Sequence, residues 1–396
     1  MTSPVRPATS VAATFRDRFD RPPRLIARAP GRVNLLGGHL DYQEGWVLPA
    51  AIDRGLDFAA AARNDSRLRI VAVDVEGEVE LDLDALPPPL AQRPDRRAAW
   101  HDVPAAVAWA CREHSLPLPG LDLAFGGDLP IGAGVSSSAA VEVGLLLLWD
   151  LLGGWQLDRG ALATLGQRAE NGYLEVASGI MDQFAILHGR AEHALLLDCR
   201  TFEFEAVPLP EDCAVLVFDS GIRRQLSDSS YNDRRAECRL AVESLNQSGF
   251  VLSTLRDLPL VDLDRALGSL DSTAAQRVRH VVEECARVRT AANGLSAGDV
   301  QGLGRAMTAS HASARRLYDI SLPELDLLAE AADSSPGCYG ARLTGAGFGG
   351  CVTALARADR SSAVTASVTE AFERVYDRRP LSFECRVADA ARAWYG

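Results

Sequence analysis

A glycine- and serine-rich loop opening directly into an apolar run is the feature that most constrains this chain. Residues Pro130-Ile131-Gly132-Ala133-Gly134-Val135-Ser136-Ser137-Ser138-Ala139-Ala140 lead into a segment that stays almost wholly apolar as far as Leu152. Glycines let the backbone approach a ligand closely, the loop's amides converge, and a helix N-terminus favours negative charge. The loop therefore has phosphate-binding architecture, with an ordinary capped turn as the competing reading if it stood alone. Ser138 is placed to cap the helix, which ends at Gly153-Gly154. The run from Ala139 to Leu152 is too short for a membrane span and is interrupted by Glu142 and Asp150, so it predicts a helix buried in a core.

A chain of 396 residues accommodates two ordinary domains, and 47% hydrophobic with 24% charged residues marks a globular protein. The net charge of -12 argues against a nucleic-acid or anionic membrane surface, so an anionic substrate needs locally placed arginines and backbone amides. All 41 basic residues are arginine. Without lysine, a Walker P-loop, the phosphate-pairing lysine of protein kinases and Schiff-base chemistry are excluded together. The eight cysteines run from Cys111 to Cys385 with no C-x-x-C pair and no histidines at zinc-ligand spacing, which predicts reduced thiols in the cytoplasm. Met1 to Thr14 carries Arg6 and lacks an apolar core of signal-peptide length.

Strands are expected at Arg24 to Arg28 and within Gly45 to Asp53, either side of an irregular loop. Further strands are expected at Leu68 to Val75 and Val79 to Leu83, joined by the turn Glu76-Gly77-Glu78, and at Leu121 to Phe125. Helical patterns cover Ala105 to Glu113 and Gly160 to Ala177, and Phe184 to Gly189 reads as a strand and turn. Strand-like runs resume at Ala194 to Leu197, Phe202 to Val207 and Cys213 to Phe218. Beyond Ser220 come helical stretches at Tyr231 to Leu245, Ala274 to Ala292 and Gly302 to Leu317. Tyr339 to Val387 reads strand, turn, strand, helix, strand, and a domain boundary is expected near residue 205.

The segment Ala29-Pro30-Gly31-Arg32-Val33-Asn34-Leu35-Leu36-Gly37-Gly38-His39-Leu40-Asp41-Tyr42 packs a cation, an amide, a histidine and a carboxylate between glycines. Arg32 offers a planar fork of donors suited to phosphate oxygens, while His39 and Asp41 are short polar groups able to bond the hydroxyls of a polyol. The segment reads as a substrate-binding turn. Glu170 and Asp182 are two carboxylates able to divide phosphoryl-transfer chemistry, one holding a metal and the other facing a hydroxyl; their spacing alone does not bring them together. Gly345-Ala346-Gly347-Phe348-Gly349-Gly350 satisfies G-x-G-x-x-G, but Cys351 to Leu355 behind it looks like a strand, so a glycine hairpin fits better than a dinucleotide site.

The segment around Arg32 resembles the signature of the galactokinases within the GHMP small-molecule kinases, usually close to Gly-Arg-Val-Asn-Leu-Ile-Gly-Glu-His-Thr-Asp-Tyr. Gly38 stands where that family has Glu. The loop Pro130 to Ala140 resembles the second GHMP motif, which implies ATP binding at Gly132, Ala133, Gly134, Ser136, Ser137, Ser138 and Ala139, with Ser138 ligating magnesium. Ala169-Glu170-Asn171 and Gly179-Ile180-Met181-Asp182-Gln183 also match galactokinases. That match implies Glu170 as a magnesium ligand, Gly179 at the sugar, and Asp182 with Arg32 as the catalytic pair at the anomeric hydroxyl. Gly345 to Gly350 resembles the third motif, beside the phosphate site. Ser229-Ser230-Tyr231-Asn232-Asp233-Arg234-Arg235 resembles the stretch whose tyrosine touches the sugar. Trp100 matches an aromatic near the adenine, although His101-Asp102-Val103 departs from the usual Asn-Tyr-Val. Ser310 to Ser313 and Ser321 to Asp326 carry the resemblance into the second half, so it covers most of the chain from near Phe15.

The resemblance implies an α+β, two-domain GHMP kinase, with a ribosomal S5 domain-2-like domain over residues 1–205, a ferredoxin-like domain over 206–396, and the site between them. It implies ATP- and Mg2+-dependent phosphorylation of the anomeric hydroxyl of a galactose-type sugar, D-galactose first. Loss of the carboxylate at Gly38, which in the family meets the hydroxymethyl end, leaves L-arabinose and galacturonate as alternatives. A sugar and ATP sensor without turnover is a reading of another class, and the presence of Ser138, Glu170 and Asp182 argues against it. The expected partners are a small sugar and ATP, with no nucleic acid, no membrane, and a monomeric or weakly homo-oligomeric state.

Overall fold

Pro49–Ala62 is a strand of 14 residues with little polar interruption, and its two-sided burial organises the first half of the protein. In the computed structural model, which describes residues 9–75, 77–94, 98–223 and 229–396, this strand is β3. It follows α1 (Thr9–Phe19), β1 (Leu25–Asn34) and β2 (Trp46–Val47). It precedes β4 (Arg67–Ala72), β5 (Glu78–Asp82), α2 (Asp102–Glu113), β6 (Leu121–Gly127), α3 (Ser137–Gly153), α4 (Arg159–Gly172), α5 (Met181–His188), β7 (His193–Asp198) and β8 (Phe204–Pro208). Phe58 and Ala60 point into the large core with α3, while Ala59 and Ala61 point the other way and pack with Val11 and Phe15 of α1. Period-2 alternation between two apolar layers explains why Phe58 to Ala61 are apolar on both faces, and the strand continues past Asp53, the end expected from sequence.

The second half contains β9 (Cys213–Asp219), α6 (Ser229–Gln247), α7 (Leu263–Leu267), α8 (Ser272–Ser296), α9 (Val300–Ser313), α10 (Pro323–Asp333), β10 (Cys338–Thr344), β11 (Cys351–Arg357), α11 (Ser361–Tyr376), β12 (Leu381–Cys385) and β13 (Arg392–Tyr395). Among the described residues the strands form three sheets, in the orders β13-β1-β3-β6-β4-β5, β10-β11-β9-β12 and β2-β7-β8. The second is antiparallel throughout, with its first strand central beside the third. That is the ferredoxin-like order, with α6 to α10 inserted between its first two strands. Among the described residues no helix is long and apolar enough to cross a membrane.

Several local expectations change. The substrate-binding segment is strand further than expected, because β1 continues through Arg32, which pairs with Ala51 past an irregularity between Pro30 and Arg32. Phe184 to His188 is helix, not strand: α5 begins at Met181, and Phe184, Ala185, Ile186 and Leu187 are all buried, so the apolar run reflects burial all round a short helix. The helix expected to run to Ala177 ends at Gly172, and that expected to Leu317 ends at Ser313 and widens into a π turn, Ala314–Tyr318. Ser138 lies inside α3; Ser136 holds the cap position with φ 64° and makes no side-chain cap bond. From the far end of the chain β13 returns to the first sheet and pairs with β1, Leu25 opposite Tyr395. Glu76 of the expected turn, with Met1 to Ala8 of the expected leaderless N-terminus, lies outside the described residues.

Candidate active site

The sheet and helix ends converge on a cavity of about 430 Å³. Its walls are Arg32 at the end of β1, His39 and Asp41 in the following turn, and the loop and first turn of α3, from which Gly132, Gly134, Ser136, Ser137, Ser138 and Ala139 contribute. Glu170 of α4, Gly179, Asp182 in the first turn of α5, and Tyr231 of α6 complete one end with the hairpin residues Thr344 to Gly347, Gly349 and Gly350. Trp100, Val103 and Phe125 make the other end apolar. Of the residues singled out by sequence, Gly38 and Ala133 alone stay out of the lining; both are buried behind it.

Arg32 and Asp182, 150 positions apart, form a two-pronged ion pair: Nε donates to Oδ1 at 2.7 Å and Nη2 to Oδ2 at 2.9 Å. This fork-to-fork geometry fixes both side chains, and charge assistance strengthens each bond. The third guanidinium nitrogen of Arg32 donates to the Gly134 carbonyl at 2.7 Å, fastening the pair to the phosphate-type loop. Ser136, expected to face ATP, points its hydroxyl at Asp182 Oδ2, 2.5 Å away. Its left-handed backbone, uncommon for a non-glycine residue, turns the side chain off the helix and toward the carboxylate.

The remaining carboxylates are short of cations. Burial, then the charge of Asp182, raises the Asp41 carboxyl to about 6. Asp41 lies so close to Gly179 that a Cβ there would sit 2.3 Å from its carboxyl carbon, so only glycine fits beside it. Glu170 accepts a short hydrogen bond from Ser178, and burial followed by Asp182 raises it to about 7. Beneath it Glu142, fully buried in α3, is pushed well above the usual carboxylate range by burial and then by Glu170. Gln183 Nε2 donates to Glu142 Oε2 at 2.8 Å. Ser178, Gln183 and Glu142 were not given roles from sequence; the signal for the last is that it and Asp150 are the two charges in the otherwise apolar run of α3.

His39 lines the cavity, but its ring nitrogens are engaged, at 2.7 Å from the Tyr42 hydroxyl and 2.8 Å from the Ala346 carbonyl. The residue expected to bond a sugar hydroxyl thus has protein partners at both ring nitrogens. Gly38 packs against Arg342, whose Nη2 lies 2.6 Å from where a Cβ would stand. Arg342 is only 1% exposed; Nη1 donates to the Asn34 carbonyl at 3.2 Å, and Nε has no hydrogen-bond partner among the described residues. The missing carboxylate at position 38 thus leaves a guanidinium, not an empty space.

Comparison with known proteins follows the same segments. Residues 13–62 match the galactokinase galactose-binding signature, 102–190 the GHMP kinases N terminal domain, and 291–374 the GHMP kinases C terminal family. A galactokinase of Roseiflexus sp. (strain RS-1) is 41% identical over 375 residues, covering 95% of this chain and 94% of the relative. One of Chloroflexus aurantiacus is 40% identical over 364 residues, 92% of each chain. The crystal structure of Lactococcus lactis galactokinase complexed with galactose superposes with a TM-score of 0.91 at 32% identity, covering 97% of this chain and 98% of the other. The mevalonate kinase of Methanococcus jannaschii, with a TM-score of 0.61 at 17% identity, shares the fold.

The Gly38 contact generates a stability test. Gly38→Glu gives the buried guanidinium an acceptor, so urea unfolding is expected to place it within about 1 kcal/mol of the parent, whereas Gly38→Gln, of similar size but uncharged, loses about 1–3 kcal/mol. Equal losses for both would show that Arg342 does not meet the new side chain.

Proposed function

We infer, because the chain belongs to the galactokinase family of the GHMP kinases, that it transfers the terminal phosphoryl group of ATP to the anomeric hydroxyl of D-galactose. The observation that carries this reading is the Arg32–Asp182 pair anchored to the loop at Gly134, because it sets a carboxylate and a guanidinium beside backbone suited to phosphate. The sugar belongs at the end with Asp41, Gly179, Asp182 and Tyr231, and the nucleotide at the end with the glycine loop and Trp100. Asp182 accepts a hydrogen bond from the anomeric hydroxyl and aims its oxygen. In a loose phosphoryl-transfer transition state the hydroxyl becomes acidic only late, so orientation is the larger part of its work and proton acceptance follows. Arg32 stabilises the charge spread over the transferring group, and its second role is to hold Asp182 still.

The residues fit a magnesium ion. Among the described residues no cluster of three His, Cys, Asp or Glu can hold a metal, and Mg2+ in phosphoryl-transfer sites characteristically takes one or two protein oxygens with phosphates and water completing the shell. Glu170, raised to about 7 by burial and then by Asp182, and the Ser138 hydroxyl are the oxygen donors that would hold it. When bound, the ion neutralises triphosphate charge and polarises the transferring group. The eight cysteines, all free thiols, support a reducing, cytoplasmic setting.

ADP release with magnesium-ATP, measured across galactose, L-arabinose, galacturonate and N-acetylgalactosamine at matched concentrations, is expected to rank galactose first in kcat/KM; no turnover with any of them would overturn the reading. A pH series tests Asp41. The group titrates at about 6 and accepts a sugar hydroxyl's hydrogen bond best when ionised. The galactose KM should therefore be flat above about pH 7 and rise by about tenfold per unit below about 6. Asp41→Asn should raise KM and remove that limb, and a parent KM independent of pH across this range would count against the assignment.

A further inference from the structure

His39 is the end of a chain of polar groups, buried except for the half-buried Tyr42, that neither the sugar site nor the phosphate loop accounts for. Tyr42 OH lies 2.8 Å from Tyr318 OH, and Tyr318 OH lies 3.2 Å from Cys238 Sγ. Tyr318 and Cys238 are fully buried, and His39 is 3% exposed. Tyr318 closes the π turn Ala314–Tyr318 and is followed by Asp319 in the left-handed region, a local geometry that a plain continuation of α9 would lack. His280 stacks on Tyr318 at 4.3 Å between ring centres.

Taking the imidazole as neutral, the proton order along this chain follows from its last member. The Ala346 carbonyl only accepts, so His39 Nε2 carries the proton it donates there. A neutral imidazole then has a bare Nδ1, which accepts from Tyr42 OH. Tyr42 has spent its one proton, so its oxygen accepts from Tyr318 OH, and the Tyr318 oxygen accepts in turn from the Cys238 thiol. Each hydroxyl both donates and accepts, the arrangement in which buried hydrogen bonds reinforce one another. The chain joins α6, the π turn, the substrate-binding turn and the glycine hairpin, so it crosses both halves of the protein around the cavity. At its near end the His39 ring stands 4.9 Å from Tyr231, tilted by 45°, and both rings line the cavity. His39 itself sits at φ 63°, a conformation that costs energy and is retained only where the surroundings fix it.

We propose that Tyr42 and Tyr318 are positioning residues for the sugar site: their one-directional hydrogen-bond chain locks His39 as the Nε2–H tautomer, clamps the Ala346 hairpin to the substrate-binding turn, and makes His39 and Tyr231 an aromatic wall for the apolar C–H face of the sugar. This rests on the sugar-kinase reading, and the chain acts on sugar binding, leaving the phosphoryl-transfer step to Arg32 and Asp182.

The test combines kinetics with spectroscopy. Tyr42→Phe and Tyr318→Phe are each expected to raise the galactose KM about tenfold, the size of one buried hydrogen bond left unmade, with kcat within about twofold of the parent. Because either change breaks the same chain, the double variant should be no worse than the worse single one, instead of about a hundredfold. In ¹⁵N spectra of the histidine-labelled parent, with His39 assigned through His39→Gln, the ring should be neutral and protonated on Nε2. Multiplicative effects, a fall in kcat at constant KM, a lowered Tm with unchanged KM, or an Nδ1–H or doubly protonated ring would each overturn the proposal. The ¹⁵N readout needs no turnover, so absence of kinase activity in the parent would defeat the sugar-kinase reading and leave the tautomer assignment to stand or fall by itself.

Discussion

The ion pair between Arg32 and Asp182 is the interaction on which the rest of the site depends. A guanidinium that is only 4% exposed is tolerable when its partner is a carboxylate held by two parallel bonds, and Arg32 adds a third bond to the Gly134 carbonyl. The first sheet exists, for this purpose, to deliver Arg32: β1 and β3 carry it in register opposite Ala51, with the whole strand pair locked between α1 and α3. The first turn of α5 delivers Asp182 from the other side. Removing either member leaves an unpaired charge in a partly buried place, so neither can change without the other's surroundings failing.

Around that pair the charges are unevenly divided. Asp41 and Glu170 are raised by burial and by the neighbouring Asp182, while Glu142 lies fully buried beneath. A site so rich in acid is suited to hydroxyls and to a cation. The glycine loop opens α3, whose N-terminus favours negative charge, and the chain has no lysine to place beside it. Two non-glycine residues with positive φ line this cavity, His39 at 63° and Ser136 at 64°. Strain of this kind persists where surrounding contacts over-determine it, and here Ser136 is held by Asp182 and His39 by its two hydrogen bonds.

Much of this was legible in the sequence, for reasons that differ by element. The loop at Gly132 and the helix behind it announce themselves through glycine content and an unbroken apolar run, and the strands β9 and β11 through theirs. Helix α5 was misread because a short helix buried on all sides has the same composition as a buried strand. β13 was unreadable as part of the first sheet because its partner, β1, lies at the other end of the chain. The same distance hid the contact between Gly38 and Arg342, and that between Tyr42 and Tyr318, 276 positions apart. Sequence supplied His39 as a polar residue in a polar segment; only the fold shows that its nitrogens are already engaged.

The central claim is that Asp182 orients the sugar's hydroxyl for phosphoryl transfer while the nucleotide is held by other groups. Asp182→Asn keeps the size of the side chain and removes the charge that Arg32 and the hydroxyl both use. Measuring kcat beside the calorimetric affinity for an ATP analogue separates the two roles. The predicted result is a fall in kcat of at least about a thousandfold with nucleotide affinity within about threefold of the parent. A kcat within about tenfold of the parent would contradict the account.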